Sequence, residues 1–185
     1  MHIGGGTVKR RRLRAVPGQQ VRPTSGRVRQ ALFNVLRGLL EDAIFVDLFA
    51  GTGSVGLEAL SHGVRQVYFV ENEPRALQVL RANIAHCTMT EQAIVLNGTL
   101  PCALRKRGVP RQADVLFLDP PYASDLGEQT LETIGDCRLL GPRGVVVWQH
   151  ATRRPVPVLV AGLSLWQSRC YGNTQLSFYM LDTRL

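Results

Sequence analysis

Two short segments hold residue types at spacings that could do chemistry: Asp47-Leu48-Phe49-Ala50-Gly51-Thr52-Gly53 and Asp119-Pro120-Pro121-Tyr122. The first follows an apolar run and opens a helical pattern. Its glycines let the backbone approach a nucleoside closely, and a helix N-terminus offers unpaired N–H groups. Gly51 to Gly56 matches G-x-G-x-x-G, the dinucleotide fingerprint, with Glu71 twenty positions after Gly51. That match alone does not separate NAD from other adenosine cofactors. Asp47 shifts the balance, because a carboxylate aimed into the turn repels a pyrophosphate and suits the ammonium of a methionine moiety. Glu71, ending the second strand, can accept both ribose hydroxyls. Glu73 lies past the strand end and reads as solvated.

The second segment ends a buried strand, Asp114-Val115-Leu116-Phe117-Leu118-Asp119. Two prolines stop the ladder and fix the backbone. Alone, this corner fits a strand-ending turn as well as it fits a site. In an α/β sheet, however, ligands bind outside the carboxyl ends of the strands, near the switch point. The fourth strand should neighbour the first, which places Asp119 beside the cofactor. An exocyclic amine on a base is a poor nucleophile, because its lone pair is delocalised into the ring. Asp119 and a carbonyl of Pro120 or Pro121 can accept its N–H bonds, and Tyr122 can stack on the base. Catalysis is then positioning plus local electrostatics, with no strong base required. Together the segments point to methyl transfer from S-adenosylmethionine to an exocyclic amine of a nucleic-acid base.

The surrounding pattern alternates apolar strands with amphipathic helices. Strands are expected at Ile44–Leu48, Gln66–Glu71, Ala93–Asn97, 115–119 and 144–149. Helices are expected at 54–62, Pro74–His86, a short piece around 101–107, and 127–137. Short apolar strands separated by helices imply a parallel sheet covered on both faces. The tail reads as an antiparallel hairpin, 163–170 and Thr174–Leu181, joined by Tyr171-Gly172-Asn173. Ahead of the sheet, a helix capped by Thr24 or Ser25 starts near Arg27. It packs Val28, Ala31, Leu32, Val35, Leu36, Leu39 and Leu40 inward and leaves Arg27, Arg29 and Arg37 off that face. Residues 1–26 are expected to form a basic arm or hairpin with turn signals at Pro17-Gly18, and residues 27–185 one catalytic domain.

A chain of 185 residues with 45% hydrophobic content can bury one core. No apolar run is long enough to span a bilayer, and the basic start leads into no secretory signal. The four cysteines and four histidines lack ligand spacing, so neither metal nor disulfides are expected. The net charge of +8 is uneven. Residues 1–40 hold nine basic side chains and no acid, which leaves 13 basic and 14 acidic groups in the rest. A neutral domain with a cationic arm is the footprint of a polyanion binder, with a solubility tail as the plain alternative.

The chain resembles bacterial 16S ribosomal RNA guanine-N2 methyltransferases, a class I S-adenosylmethionine-dependent family. The resemblance rests on Gly4-Gly5, Arg22-Pro23-Thr24, Arg27-Val28-Arg29, Leu32-Phe33-Asn34, Asp47 through Gly56, Leu57-Glu58-Ala59-Leu60, Asp119 through Tyr122, and the tail from Tyr171-Gly172 to Tyr179. It implies a Rossmann-like, mostly parallel seven-stranded sheet with an antiparallel C-terminal hairpin. It implies that S-adenosyl-L-methionine is held at Asp47, Phe49, Ala50, Gly51, Gly53, Glu71, Asn72 and Thr99, with Asp119, Pro120, Pro121 and Tyr122 as the catalytic corner. Lys9, Arg10, Arg11, Arg12, Arg22, Thr24 and Arg27 would meet ribosomal RNA or the small subunit. A cytoplasmic monomer is implied. Thr99 stands where the family often has Asn or Asp, and Gly26 and Gln30 where it usually has acids. An adenine-N6 or cytosine-N4 methyltransferase on DNA would use the same corner, and only the resemblance selects guanine.

Overall fold

The computed structural model describes residues 1–16, 26–121 and 124–182. Helix α1 (Gly26–Leu36) leads to strand β1 (Ile44–Leu48), followed by α2 (Ser54–Ser61), β2 (Gln66–Glu71), α3 (Pro74–His86) and β3 (Ala93–Asn97). Next come β4 (Ala113–Leu118), α4 (Leu126–Asp136), β5 (Leu140–Ala151), β6 (Leu159–Val160), β7 (Leu163–Tyr171) and β8 (Thr174–Leu181). The strands form one sheet in the order β3-β2-β1-β4-β5-β8-β7-β6. The first five are parallel and the last three antiparallel. The order reverses between β1 and β4, which is where a doubly wound sheet opens a ligand crevice.

Apolar side chains alternate across the sheet and build a core on each face. Phe45, Phe69, Phe117 and Val147 pack under α1, α2 and α3. Val46, Leu48, Leu116, Leu118 and Trp148 pack under α4 and the turn at Cys102–Arg105. Strands buried on both faces have no room for the polar alternation of a half-exposed sheet, which is why they read as continuous apolar runs. Glu73 caps α3 by accepting from the N–H groups of Arg75 and Ala76, with Pro74 at the first helical position. It is a helix cap, not the solvated bystander expected from its place past the strand.

The sheet has eight strands where seven were expected. The addition is the two-residue β6, which pairs Leu159 with Ser164 and Val160 with Leu163. Pro155 and Pro157, just ahead, obscure it in the sequence. Strand β4 starts two residues earlier than the apolar run suggests and ends at Leu118, so Asp119 stands just outside the ladder. The N-terminal segment folds back at residues 5–10, with an antiparallel bridge between His2 and Arg12. The expected turn at Pro17-Gly18 and the cap at Thr24 or Ser25 lie outside the described residues. Ile3 and Leu13, at 1% and 3% exposure, anchor this hairpin in the core beneath α1.

Arg29 departs from its expected place off the packing face. It is buried, donates through Nε to Glu58 of α2, and donates through Nη2 to the carbonyl of His2 at 2.6 Å. The same Glu58 accepts from the N–H of Gly4 at 3.2 Å. One ion pair therefore joins α1, α2 and the hairpin. Asn83 of α3 makes a second tether: its side chain bonds both the N–H and the carbonyl of Arg14, and the carbonyl of Thr52.

Candidate active site

β1 lies between β2 and β4, with Leu48 opposite Val70 on one side and Leu118 on the other. Asp47, Glu71 and Asp119 are thereby brought to one edge of the sheet. Asp47 is buried, and its Oδ2 accepts from the N–H of Gly56 in α2 at 2.9 Å. Burial pushes its pKa well above the ordinary carboxylate range; the Gly56 bond opposes this, and the nearby charges of Asp119 and Glu71 add to it. The three carboxyl groups are close enough to feel one another, and those of Asp119 and Glu71 add to the effect of burial in disfavouring the charge of Asp47.

The turn after β1 is shaped by positive backbone angles. Phe49, Gly51 and Gly53 have φ of 62°, 54° and 78°. A bulky residue in this region is uncommon, and such strain is typical of sites held for function. The two glycines have different reasons. A Cβ on Gly51 would meet only open space apart from the Phe49 carbonyl at 4.0 Å, so its positive φ and not crowding is what favours glycine there. A Cβ on Gly53 would lie 2.3 Å from Leu80 of α3, so this glycine serves close packing of turn on helix. Ala50, buried, ties the turn to β2 by donating to the Val70 carbonyl at 3.1 Å.

Glu71 holds three backbone N–H groups. Its Oε2 accepts from Gly51 at 2.7 Å, and its Oε1 accepts from Asn72 at 2.8 Å and Glu73 at 2.9 Å. A carboxylate has about four acceptor positions, so one remains in this arrangement. Accepting both hydroxyls of a ribose requires Gly51 or a neighbour to release its bond. Asn72 donates to Thr99 Oγ1 at 3.2 Å, placing both side chains at the mouth of the same cleft. That cleft, about 120 Å³, runs from Glu71, Asn72 and Thr99 past Phe49 to Pro121. Phe49 of the first segment and Pro121 of the second line this one cleft.

Asp119 is half-buried, Pro120 buried and Pro121 exposed. Tyr122 lies outside the described residues. Asp119 Oδ1 accepts from Gln149 Nε2, at the end of β5, at 2.8 Å. On the far side of the corner, Arg154 donates to the Ser124 carbonyl at 2.8 Å and to Asp125 at 3.2 Å, and lies over the Trp148 ring at 5.4 Å. Sequence reasoning missed both Gln149 and Arg154. The signal for Gln149 was a polar side chain directly after four buried residues of β5; nothing local marks Arg154.

Of the residues assigned to RNA, Lys9, Arg10, Arg12 and Arg27 are exposed. Arg11 is half-buried and donates to the His86 carbonyl at 2.7 Å, which fastens the hairpin to the end of α3. Arg22 and Thr24 lie outside the described residues. Among the described residues no helix is long and apolar enough to cross a membrane.

Comparison with known proteins agrees with this geometry. The chain is 29% identical over 184 residues to the Escherichia coli K12 protein named ribosomal RNA small subunit methyltransferase D, covering 100% of this chain and 91% of that one. The Haemophilus influenzae protein of the same name is 31% identical over 158 residues, covering 84% of this chain and 81% of that one. A solved structure from Thermus thermophilus, titled a hypothetical protein, superposes with a TM-score of 0.83 at 30% identity, covering 98% of this chain and 99% of that one. The architecture is the Rossmann-like class I methyltransferase fold. The family model described as conserved hypothetical protein 95 matches residues 1–180, and the chain belongs to that family, a bacterial 16S rRNA methyltransferase family.

Proposed function

We propose that this chain transfers the methyl group of S-adenosyl-L-methionine to the exocyclic N2 amine of a guanine in small-subunit (16S) ribosomal RNA. The observation that carries the reading is the direct pairing of β1 with β4, with one cleft reaching from Glu71 to Pro121. The names of the full-length relatives support ribosomal RNA as the substrate class. The guanine assignment rests on the family resemblance.

The residues present fit the cofactor. Gly51 has open space where a side chain would stand, Glu71 is the ribose acceptor, Asn72 and Thr99 flank the mouth, and Asp47, whose burial disfavours its charge, would gain a partner in an ammonium. When bound, the cofactor supplies an electrophilic methyl group on a sulfonium. The protein's share is placement: Asp119 and a carbonyl of Pro120 or Pro121 accept the N–H bonds of the amine, which turns its lone pair away from them. Tyr122 supplies a face for the base. One N–H proton is lost from the nitrogen as the new N–C bond forms, and water can take it. Lys9, Arg10 and Arg12 of the hairpin and Arg27 of α1 are exposed and would meet the RNA, the role the resemblance also gives Arg11, Arg22 and Thr24.

Radiolabelled methyl transfer to small-subunit particles and to free RNA, followed by nucleoside analysis, tests this reading. N2-methylguanosine is the expected product. N6-methyladenosine or N4-methylcytidine would move the target to another amine, and no transfer to any RNA would remove the function.

A further inference from the structure

The end of β5 carries a polar side chain that the methyl-transfer reading leaves idle. Val145, Val146, Val147 and Trp148 are buried, and Gln149 follows them at 2% exposure. Its Nε2 donates to Asp119 Oδ1. That bond decides which way the amide faces, because the flipped amide would set Oε1 against a carboxylate. Oε1 is then a buried acceptor with no hydrogen-bond partner among the described residues. Folded chains rarely keep such an atom, because nothing compensates its lost hydration. Gln149 also lines a small open hollow with Pro120, Pro121 and Ser124, beside the Asp119 corner.

We propose that Gln149 reads the base: its Oε1 accepts from a ring N–H next to the amine held by Asp119, and this selects guanine. The proposal rests on the methyl-transfer reading of the Asp119 corner. Two neighbouring acceptors match two neighbouring donors, and the Watson–Crick edge of guanine has that pair in its N2 amine and N1–H. Adenine and cytosine place an unprotonated ring nitrogen beside their amine, which would set two lone pairs against each other. Gln149 cannot reverse its amide to suit them, because Nε2 is committed to Asp119. A buried acceptor that must be satisfied rejects an analogue lacking the donor far more strongly than shape alone does.

The test uses a small-subunit RNA substrate in which the methylated guanosine is replaced by 2-aminopurine riboside. This analogue keeps the N2 amine and lacks the N1 proton. Wild-type kcat/KM should fall at least about 100-fold. Equal rates on the two substrates would overturn the proposal, and that comparison needs no variant. Gln149→Met, of similar length and without polar donors or acceptors, should slow transfer to guanosine and erase most of the preference. A Gln149→Met enzyme that still melts higher with S-adenosylmethionine yet keeps the full preference would also overturn it. Failure of the wild type to methylate the guanosine substrate is a separate result: it removes the Asp119 reading and this proposal with it.

Discussion

On the proposed reading Asp119 acts on the transition state; it stands just outside the β4 ladder and accepts from Gln149. Asp119→Ala should lower kcat by about 10²–10³, the range for losing one well-placed polar contact to the reacting group. Binding of S-adenosylmethionine should persist; its loss in calorimetry would mean the residue holds cofactor instead. Asp47 poses the opposite case. Its folded pKa is raised, so the native state holds its proton above the ordinary carboxylate range, and stability falls as pH rises through that window. Asp47→Asn keeps an acceptor for the Gly56 N–H and removes the buried charge. The ligand-free variant should melt higher than wild type near pH 7, with less loss on going from pH 4 to 7. Its melting shift with S-adenosylmethionine should shrink. For wild type, a cofactor at a hundred times its dissociation constant adds about 2.7 kcal/mol. A variant that keeps the full shift would contradict the assigned role.

At the scale of elements, β1, β2, β3, β8 and α3 fall at the expected residues because each is an apolar run or stripe bounded by strong stop signals. Pro74 sets the start of α3, and Gly172, at φ 62°, the turn before β8. Three features were not legible, and each depends on a partner distant in sequence. Arg29 looked like one more surface arginine because Glu58 lies 29 positions away. Gln149 is 30 positions from Asp119 and carries no motif of its own. Strand β6 exists only because β7 offers it an edge, and two prolines hide its start. The site glycines were legible as a turn but not in their division of labour, which depends on where Leu80 of α3 falls. The Arg29–Glu58 pair makes a sharp prediction about the hairpin. Glu58→Ala removes the carboxylate that balances a buried guanidinium, at about 3–5 kcal/mol. For a chain of this size that is a melting decrease of roughly 10 °C. Calorimetry showing a change under about 2 °C would mean the pair contributes little beyond packing.

Over the whole molecule, exposed cationic side chains stand on the hairpin (Lys9, Arg10, Arg12) and on α1 (Arg27), while Asp47, Glu71 and Asp119 stand at or just past the carboxyl ends of β1, β2 and β4. On the proposed reading the positive surface meets a polyanion, and the carboxyl groups at the strand ends face a cationic methyl donor. Arg29 spends its charge inside the fold, so the RNA-facing count is lower than composition alone suggests. Neutralising Arg12, which is exposed, should weaken RNA binding across sequences and lower the slope of log K against log salt by about one. A salt slope unchanged after several such substitutions would reduce the hairpin to a structural strap. The central claim is that methyl donor and acceptor corner share one crevice. It is tested most directly by a crystal structure with S-adenosylhomocysteine bound. The expected result is ribose on Glu71 and the sulfur facing Asp119 and Pro121, with room between them for a methyl group and a nitrogen. A ligand lying elsewhere, or a sulfur turned away from that corner, would contradict it.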